Sequence, residues 1–174
     1  VTDLVLSHTS NEHNWFKESI KSKGNKFSDW YVWHDGKPDV APNNWLSVFG
    51  GSSWEWCNSR QQYYLHNFLK SQPDLNFHNE EVQNQMLEEI EYWLNFGVDG
   101  FRFDVINFLF HDKQFRNNPP KDAKLVRPLG FNKDNPYGLQ IHEYDNTQPE
   151  VIKYLEKIRK ILDKYEAISI GEIV

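Results

Sequence analysis

The chain has 174 residues, enough for one domain with a sizeable core, and a formal net charge of −6 with no clustered Lys/Arg stripe, which excludes a general nucleic-acid binder. No stretch is long and apolar enough to span a membrane as a helix, and a single cysteine, Cys57, excludes an internal disulfide and leaves the compartment open, with the cytoplasm favoured. Aromatic residues make up 16 %, a content that serves either a large core or flat faces for stacking sugar rings.

In chain order, Val1–Leu6 is an apolar run broken by one Asp, the pattern of a buried parallel strand. Residues 11–75 are rich in Asn, Ser, Gly, Pro, Trp and Tyr, too long for a loop and too irregular for a repeating α/β unit. They read as a small inserted subdomain. Within it, residues 11–23 form a candidate helix with Asn11 near its cap, "DWYVW" is a candidate strand and "FGGSSW" a turn. From Asn79 to Phe96 the period becomes helical, with Val82, Met86, Leu87, Ile90, Trp93 and Leu94 on one side and Gly97 as the stop. "VDGFRFDVINF" follows as a strand running into a loop. Residues 109–147, with Pro119, Pro120, Pro128, Gly130, Pro136 and Gly138, read as a long irregular excursion. Gln148–Tyr165 is helical again, with Val151, Ile152, Leu155, Ile158, Ile161 and Leu162 on one face and Pro149 in its first turn. "AISIGEIV" is the closing strand. The order βαβαβ with apolar strands predicts a parallel α/β sheet. Both ends fall inside strand-like runs, so the chain reads as an internal piece of a longer protein.

Each predicted strand carries polar residues at or beyond its C-terminal end: Ser7 and His8, then Arg102 and Asp104, then Glu172. Parallel α/β folds, (β/α)8 barrels above all, place their sites at this edge. Two carboxylates on neighbouring strands suit glycoside hydrolysis, in which one attacks or activates water and the other protonates the leaving oxygen. Arg102 and Asp104 share a face of their strand because side chains alternate with period two, and a guanidinium beside a carboxylate favours its ionised form. Taken alone, an Arg-x-Asp pair in a strand is more often a structural ion pair, and a single His more often a hydrogen-bonded histidine than a catalyst. The seven histidines show no metal-ligand spacing, and "FGGSSW" is no phosphate loop.

Together these segments resemble the α-amylase family, glycoside hydrolase family thirteen, in its α-glucosidase and oligo-1,6-glucosidase branch. "DLVLSH" at 3–8 resembles the family's strand-three motif, "QPDLN" at 72–76 the motif closing the inserted B domain, "GFRFDVINF" at 100–108 the nucleophile motif of strand four, and "GEIV" at 171–174 the acid motif of strand five. "NNWLSVFGGSSWEW" and "YYLHNF" resemble B-domain stretches of the branch. The resemblance covers essentially the whole chain and implies part of a (β/α)8 TIM barrel, about strands three to five. It divides the chain into barrel strand and catalytic loop (1–10), B subdomain (11–75), and barrel βα units with the excursion (76–174).

By the same resemblance Asp104 is the catalytic nucleophile and Glu172 the general acid/base of a retaining mechanism through a covalent glucosyl-enzyme. Arg102 orients and ionises the nucleophile. His8 hydrogen-bonds the sugar, Asp3 is a structural carboxylate beneath the site, Phe49 and Phe68 are walls of the glucose pocket, and Gln72 is a polar residue near it. Val105 resembles the α-1,6-preferring enzymes, where Thr marks the α-1,4-preferring ones. No cofactor and no metal are implied: the family often has Asn where this chain has Ser7, which argues against calcium there. The implied partner is a small α-glucoside, with no nucleic acid and no membrane. A transglucosylase, a sucrose isomerase, a trehalose-phosphate hydrolase and an inactive transporter-subunit homologue share the core pattern; the last class loses the nucleophile or acid that this chain keeps. The family's final His-Asp signature falls beyond Val174, so the piece alone is expected to be inactive.

Overall fold

The computed structural model describes residues 1–122 and 135–174. Pro128 and Gly130, counted above towards the excursion, lie outside them. Among the described residues, β1 (Thr2–Val5), β5 (Gly100–Asp104) and β6 (Ile168–Gly171) form a parallel sheet in the order β1-β5-β6. The helices α2 (Glu80–Asn95) and α3 (Glu150–Lys164) connect them, as parallel pairing requires of a crossover. Between β1 and α2 lie α1 (Asn14–Lys21) and the strands β2 (Trp33–Asp35), β3 (Trp54–Cys57) and β4 (Gln62–Leu65), which pair antiparallel in the order β2-β4-β3.

The sheet's two faces differ because alternate residues point opposite ways. Leu4, Leu6, Phe101 and Phe103 face the helices and join one core with Val82, Met86, Ile90 and Leu94 of α2 and Val151, Tyr154, Ile158 and Leu162 of α3. Burying each such side chain contributes about 1.5–3 kcal/mol. The other face carries Asp3, Val5, Arg102, Asp104 and Ile170 and has no covering layer among the described residues. The expectation of a buried first strand is therefore corrected: Val1 and Val5 are exposed, and the closing strand is exposed throughout, Ile170 at 61 %. Both are outer strands with one free edge and one open face.

Asn79 caps α2, its Oδ1 accepting from the Glu81 N–H at 2.9 Å, and Gly97 ends it with φ +103°, a conformation that only glycine adopts without strain. Three side-chain expectations are corrected. The cap of α1 is His13, whose Nδ1 accepts from the Trp15 N–H, while Asn11 lies outside the helix. On α2, Trp93 turns outwards with Tyr92 and Phe96, since the buried stripe is already filled at i, i+4, i+8 and i+12 by Val82, Met86, Ile90 and Leu94. On α3, Tyr154 takes the inward position while Ile152 is exposed, because 151, 154, 158 and 162 follow the helical period more closely. The "DWYVW" strand also shifts: β2 begins at Trp33, and Tyr31 makes only an isolated bridge, to Leu75.

Buried hydrogen bonds hold the stretch between β1 and α2. Arg60 donates to the carbonyls of Ser19, Ser22 and Ser28 and to Gln62 Oε1, and its guanidinium lies 4.3 Å from the Trp33 ring centroid, so one side chain joins α1 to the small sheet. The Asn44 side chain donates to the Asn118 carbonyl at 2.9 Å and accepts from the Asn118 N–H at 2.8 Å, and Trp45 Nε1 donates to the Arg116 carbonyl, which fastens this stretch to residues 112–118. In the described parts of the excursion the regular structure is the 3-10 turn Pro136–Leu139 and a bridge between Pro120 and Gln140.

Gly100 marks the closest approach within the parallel sheet: a Cβ there would collide with the Ile168 carbonyl on the neighbouring strand. Gly100→Ala is expected to destabilise the protein by about 1–3 kcal/mol, whereas Gly138→Ala, whose Cβ meets nothing within 4 Å, is expected to change little. Urea unfolding of the full-length protein and both variants checks this; equal midpoints would refute it.

Candidate active site

Register builds the centre of the site. Asp3 pairs with Arg102 across β1 and β5, and Arg102 pairs with Ile170 across β5 and β6. Parallel neighbours share a face, so Asp3, Arg102 and Ile170 stand in a row, with Asp104 one step further along β5. Glu172 follows directly after β6. The Arg102 guanidinium spans the row: Nη1 reaches Asp104 Oδ1 at 2.6 Å and Asp3 Oδ1 at 3.2 Å, and Nη2 reaches Glu172 Oε1 at 2.7 Å. Three carboxylates from three strands thus meet on one planar fork, a geometry that Arg supports and Lys does not. The hydrogen bond to Asp104 above all raises the Arg102 pKa further.

The backbone after β5 turns sharply. Val105 adopts φ +37° and ψ +49°, a left-handed conformation that is strained for a β-branched residue. This turn brings the Val105 N–H to 3.4 Å from Glu172 Oε2, while Ile106 N–H donates to the Glu172 carbonyl and Glu172 N–H to that of Phe103. The Val105 side chain itself is buried with Val48, Phe68, Phe108 and Tyr137.

His8 joins through the "QPDLN" segment. Leu75 N–H donates to the Ser7 carbonyl and Thr9 N–H to that of Pro73, which sets His8 beside Gln72. Gln72 Oε1 accepts from the Leu69 N–H at 3.1 Å, which fixes its amide; its Nε2 therefore donates to His8 Nε2, also at 3.1 Å. That assigns the His8 hydrogen to Nδ1, which donates to Ser7 Oγ at 2.9 Å. Burial lowers the His8 pKa, opposed by the Asp104 charge, in keeping with a neutral ring. The Ser7 hydroxyl is thereby engaged with His8.

The aromatic wall lies next to His8. The Phe68 ring centroid is 5.3 Å from that of His8, 6.0 Å from Phe49 and 5.2 Å from Phe108. Phe68 is nearly buried, whereas Phe49 is 60 % exposed at the tip of the Gly50–Gly51 turn. All nine residues predicted from sequence, Asp3, His8, Phe49, Phe68, Gln72, Arg102, Asp104, Val105 and Glu172, thus fall in one connected region.

Three supporting residues went unassigned in the sequence. Ser47 Oγ donates to the Phe68 carbonyl at 2.6 Å, and His66 Nδ1 donates to the same oxygen at 3.1 Å. Asp74 is fully buried, and burial pushes its pKa up to about 8 against the two Asn67 donors on Oδ2; it holds Asn67, which in turn accepts from the Val48 N–H. Asp74 lies inside the "QPDLN" motif, so its position was visible, but nothing in the sequence shows that its carboxyl is enclosed.

The family model "Alpha amylase, catalytic domain" matches residues 1–174. A probable alpha-glucosidase of Rhizobium meliloti (strain 1021) is 52 % identical over 173 residues, covering 98 % of this chain and 31 % of that protein. An oligo-1,6-glucosidase of Parageobacillus thermoglucosidasius is 42 % identical over 173 residues, covering 99 % of this chain and 29 % of its own length. Among solved structures, the alpha-glucosyl transfer enzyme XgtA superposes with a TM-score of 0.95 at 56 % identity over 99 % of this chain and 32 % of that one. The trehalose-6-phosphate hydrolase TreA of Bacillus licheniformis gives 0.81 at 36 % identity over 98 % of this chain and 28 % of that one. The chain spans about a third of the length of the proteins it matches.

The His8 network generates a pH dependence of known sign. A histidine with a lowered folded pKa contributes stability that is full above its unfolded value of 6.5 and is lost as pH falls through the folded value below it. Protonation also places a second donor against the Gln72 amide. Unfolding free energy of the full-length protein, followed downwards from pH 7, is expected to fall less steeply in His8→Gln than in the wild type; identical slopes would refute the neutral assignment.

Proposed function

The chain belongs to the alpha-amylase family, and from that premise we propose that the full-length protein carrying it is a retaining α-glucosidase acting on short α-glucosides. The observation that carries this reading is the single Arg102 guanidinium shared by Asp104 and Glu172 at the C-terminal ends of neighbouring strands. In the proposed architecture β1, β5 and β6 are strands three to five of a (β/α)8 barrel, whose remaining strands cover the open sheet face. Residues 1–10 form a barrel strand and catalytic loop, 11–75 the inserted B subdomain, and 76–174 the following βα units.

The proposed mechanism has two steps. Asp104 attacks the anomeric carbon while Glu172, turned from Arg102 to the glycosidic oxygen, donates its proton, so that the C–O bond breaks and an alcohol leaves. Glu172, now a carboxylate, then takes a proton from water, whose oxygen attacks the anomeric carbon and releases Asp104. Retention needs carboxyls about 5–5.5 Å apart, and a pair served by one guanidinium supports that narrow spacing. Arg102 holds and aims Asp104, His8 Nε2 accepts from a sugar hydroxyl that displaces the Gln72 amide, which is then free to bond the sugar itself, and Phe49 and Phe68 offer ring faces. A second reading, transfer of the glucosyl group to an acceptor alcohol in place of water, is favoured by the 56 % identity to an alpha-glucosyl transfer enzyme. It uses the same residues.

In the full-length protein Asp104→Asn is expected to abolish turnover at nearly constant volume and leave the fold intact. Glu172→Gln is expected to do the same, with partial recovery on substrates whose leaving groups need no proton. More than a few per cent of wild-type rate in Asp104→Asn, measured by glucose release, would refute the nucleophile assignment.

Val105 sets the proposed preference for α-1,6 over α-1,4 links. Val105→Thr exchanges a methyl for a hydroxyl at nearly equal volume, a change on the order of 1–3 kcal/mol where it gains or strands a hydrogen bond. Because the side chain is buried, the comparison is the ratio of kcat/KM on isomaltose and maltose within each protein, which cancels any loss of folded enzyme. The ratio is expected to move towards maltose on substitution. A wild type that already prefers maltose, or an unmoved ratio, defeats the linkage claim and leaves the hydrolase reading standing.

A further inference from the structure

The excursion contains a buried pair that the site described above does not use. Asp145 is fully buried, and its Oδ2 lies 2.6 Å from His142 Nδ1. The other ring nitrogen, Nε2, lies 2.8 Å from the Tyr137 carbonyl. A carbonyl only accepts, so Nε2 carries a hydrogen, and the contact with Asp145 holds a second proton between ring and acid. The His142 ring also lies nearly parallel to that of Tyr137, with centroids 3.7 Å apart. One histidine thus grips Tyr137 twice, at its backbone and over the face of its ring.

Both ends of this contact are anchored. The Tyr144 carbonyl, next to Asp145, accepts from the Asp112 N–H, and the Thr147 N–H donates to the Asn107 carbonyl at 2.7 Å, so Asp145 sits on backbone tied to the stretch that follows β5. On the other side, Asn135 Oδ1 accepts from the Tyr137 N–H and its Nδ2 donates to the Val48 carbonyl, one residue before Phe49. The Tyr137 side chain is buried in one cluster with Val48, Phe68, Val105 and Phe108. That cluster contains Phe68, whose ring packs on His8, and Val105, which follows Asp104. The 3-10 turn that carries Tyr137 is only four residues long, and such turns are weakly held by their own bonds, so the ring depends on the outside grip.

We propose that His142 and Asp145 are positioning residues of the candidate active site: they touch no reacting atom, and by fixing Tyr137 they hold the aromatic wall at Phe68 and the turn at Val105 beside the nucleophile. The role of that wall rests on the α-glucoside reading above; the grip on Tyr137 rests on the buried geometry. A buried pair of this kind adds little net stability over apolar groups of the same size. What it supplies is direction, since two hydrogen bonds and a stacked ring admit one placement of Tyr137.

The test is steady-state kinetics of the full-length protein on p-nitrophenyl α-glucoside, with glucose as competitive inhibitor. KM and the inhibition constant of glucose do not depend on how much enzyme is folded, so they separate positioning from stability. The double variant His142→Phe/Asp145→Leu, which removes the pair without leaving a buried acid unpaired, is expected to raise both constants about fivefold. Asp145→Asn is expected to keep both within about twofold, because the new amide donates to Nδ1 while Nε2 still donates to Tyr137. His142→Gln, the milder change in case the double variant does not fold, keeps a donor but loses the stacked ring and is expected to raise both about threefold. Variants of lowered melting temperature that retain the wild-type KM and glucose inhibition would overturn the proposal and leave the glucosidase reading standing. A wild type that cleaves no α-glucoside overturns both, a result distinct from the first.

Discussion

The Arg102 fork is the constraint on which the rest of the site depends. A guanidinium is planar and presents its donors in fixed directions, so Asp3, Asp104 and Glu172 can meet it together only if β1, β5 and β6 hold one parallel register. A shift of one residue on any strand would send that strand's polar side chain to the helix face. Phe101 and Phe103 oppose such a shift, because their burial against α2 and α3 fixes which face of β5 is apolar. The apolar face therefore sets the register, and the register assembles the charges.

Arg102 stands among three carboxyl groups, and among the described residues no layer covers the face that carries them. The buried polar groups lie elsewhere, around Phe68, and are of a different kind. Ser47, His66, Asn67 and Asp74 are neutral or held neutral: burial lowers the His66 pKa and raises that of Asp74 to about 8. Since Asn67 occupies Asp74 Oδ2, the proton of the neutral acid belongs on Oδ1, the oxygen without a partner. The aromatic wall thus stands on an uncharged hydrogen-bonded frame, separate from the Arg102 row that it adjoins.

Long connections are usually mobile, yet here they carry the wall. The Asn44–Asn118 exchange and the Trp45–Arg116 bond fasten the stretch after β1 to the stretch after β5, and Asn135 Nδ2 donates to the Val48 carbonyl one residue before Phe49. Asp112 adds a paired bond to Arg116, which holds the acid at about 2, and the Arg116 guanidinium lies 4.2 Å from the Tyr144 ring centroid. The bonds of Asn44 to Asn118, Trp45 to Arg116 and Asn135 to Val48 join residues some seventy to ninety positions apart, so the wall's position depends on tertiary contacts and not on local turn geometry.

The sequence by itself determined the alternation of strands and helices, the helix limits at Asn79 and Gly97, and the candidate residues. Period-two alternation puts Arg102 with Asp104, helical spacing marks Val82 through Leu94, and the ordered motifs identify His8, Gln72 and Glu172. It could not show that Val1 and Val5 of the first strand and the last strand are exposed, because apolar composition reports what a segment is suited to bury, not whether the partner layer lies among the described residues. It could not choose Tyr154 over Ile152, where one position of phase decides and both residues are apolar. The left-handed turn at Val105 lay beyond it as well: no local signal favours that conformation for a valine, and the bonds from Val105 and Ile106 to Glu172, together with the packing of its side chain, hold it there. The enclosure of Asp74 and the unpartnered nitrogen of His66 were decided by tertiary structure alone, since burial and the loss of a hydrogen-bond partner are properties of the packed neighbourhood and not of the residue.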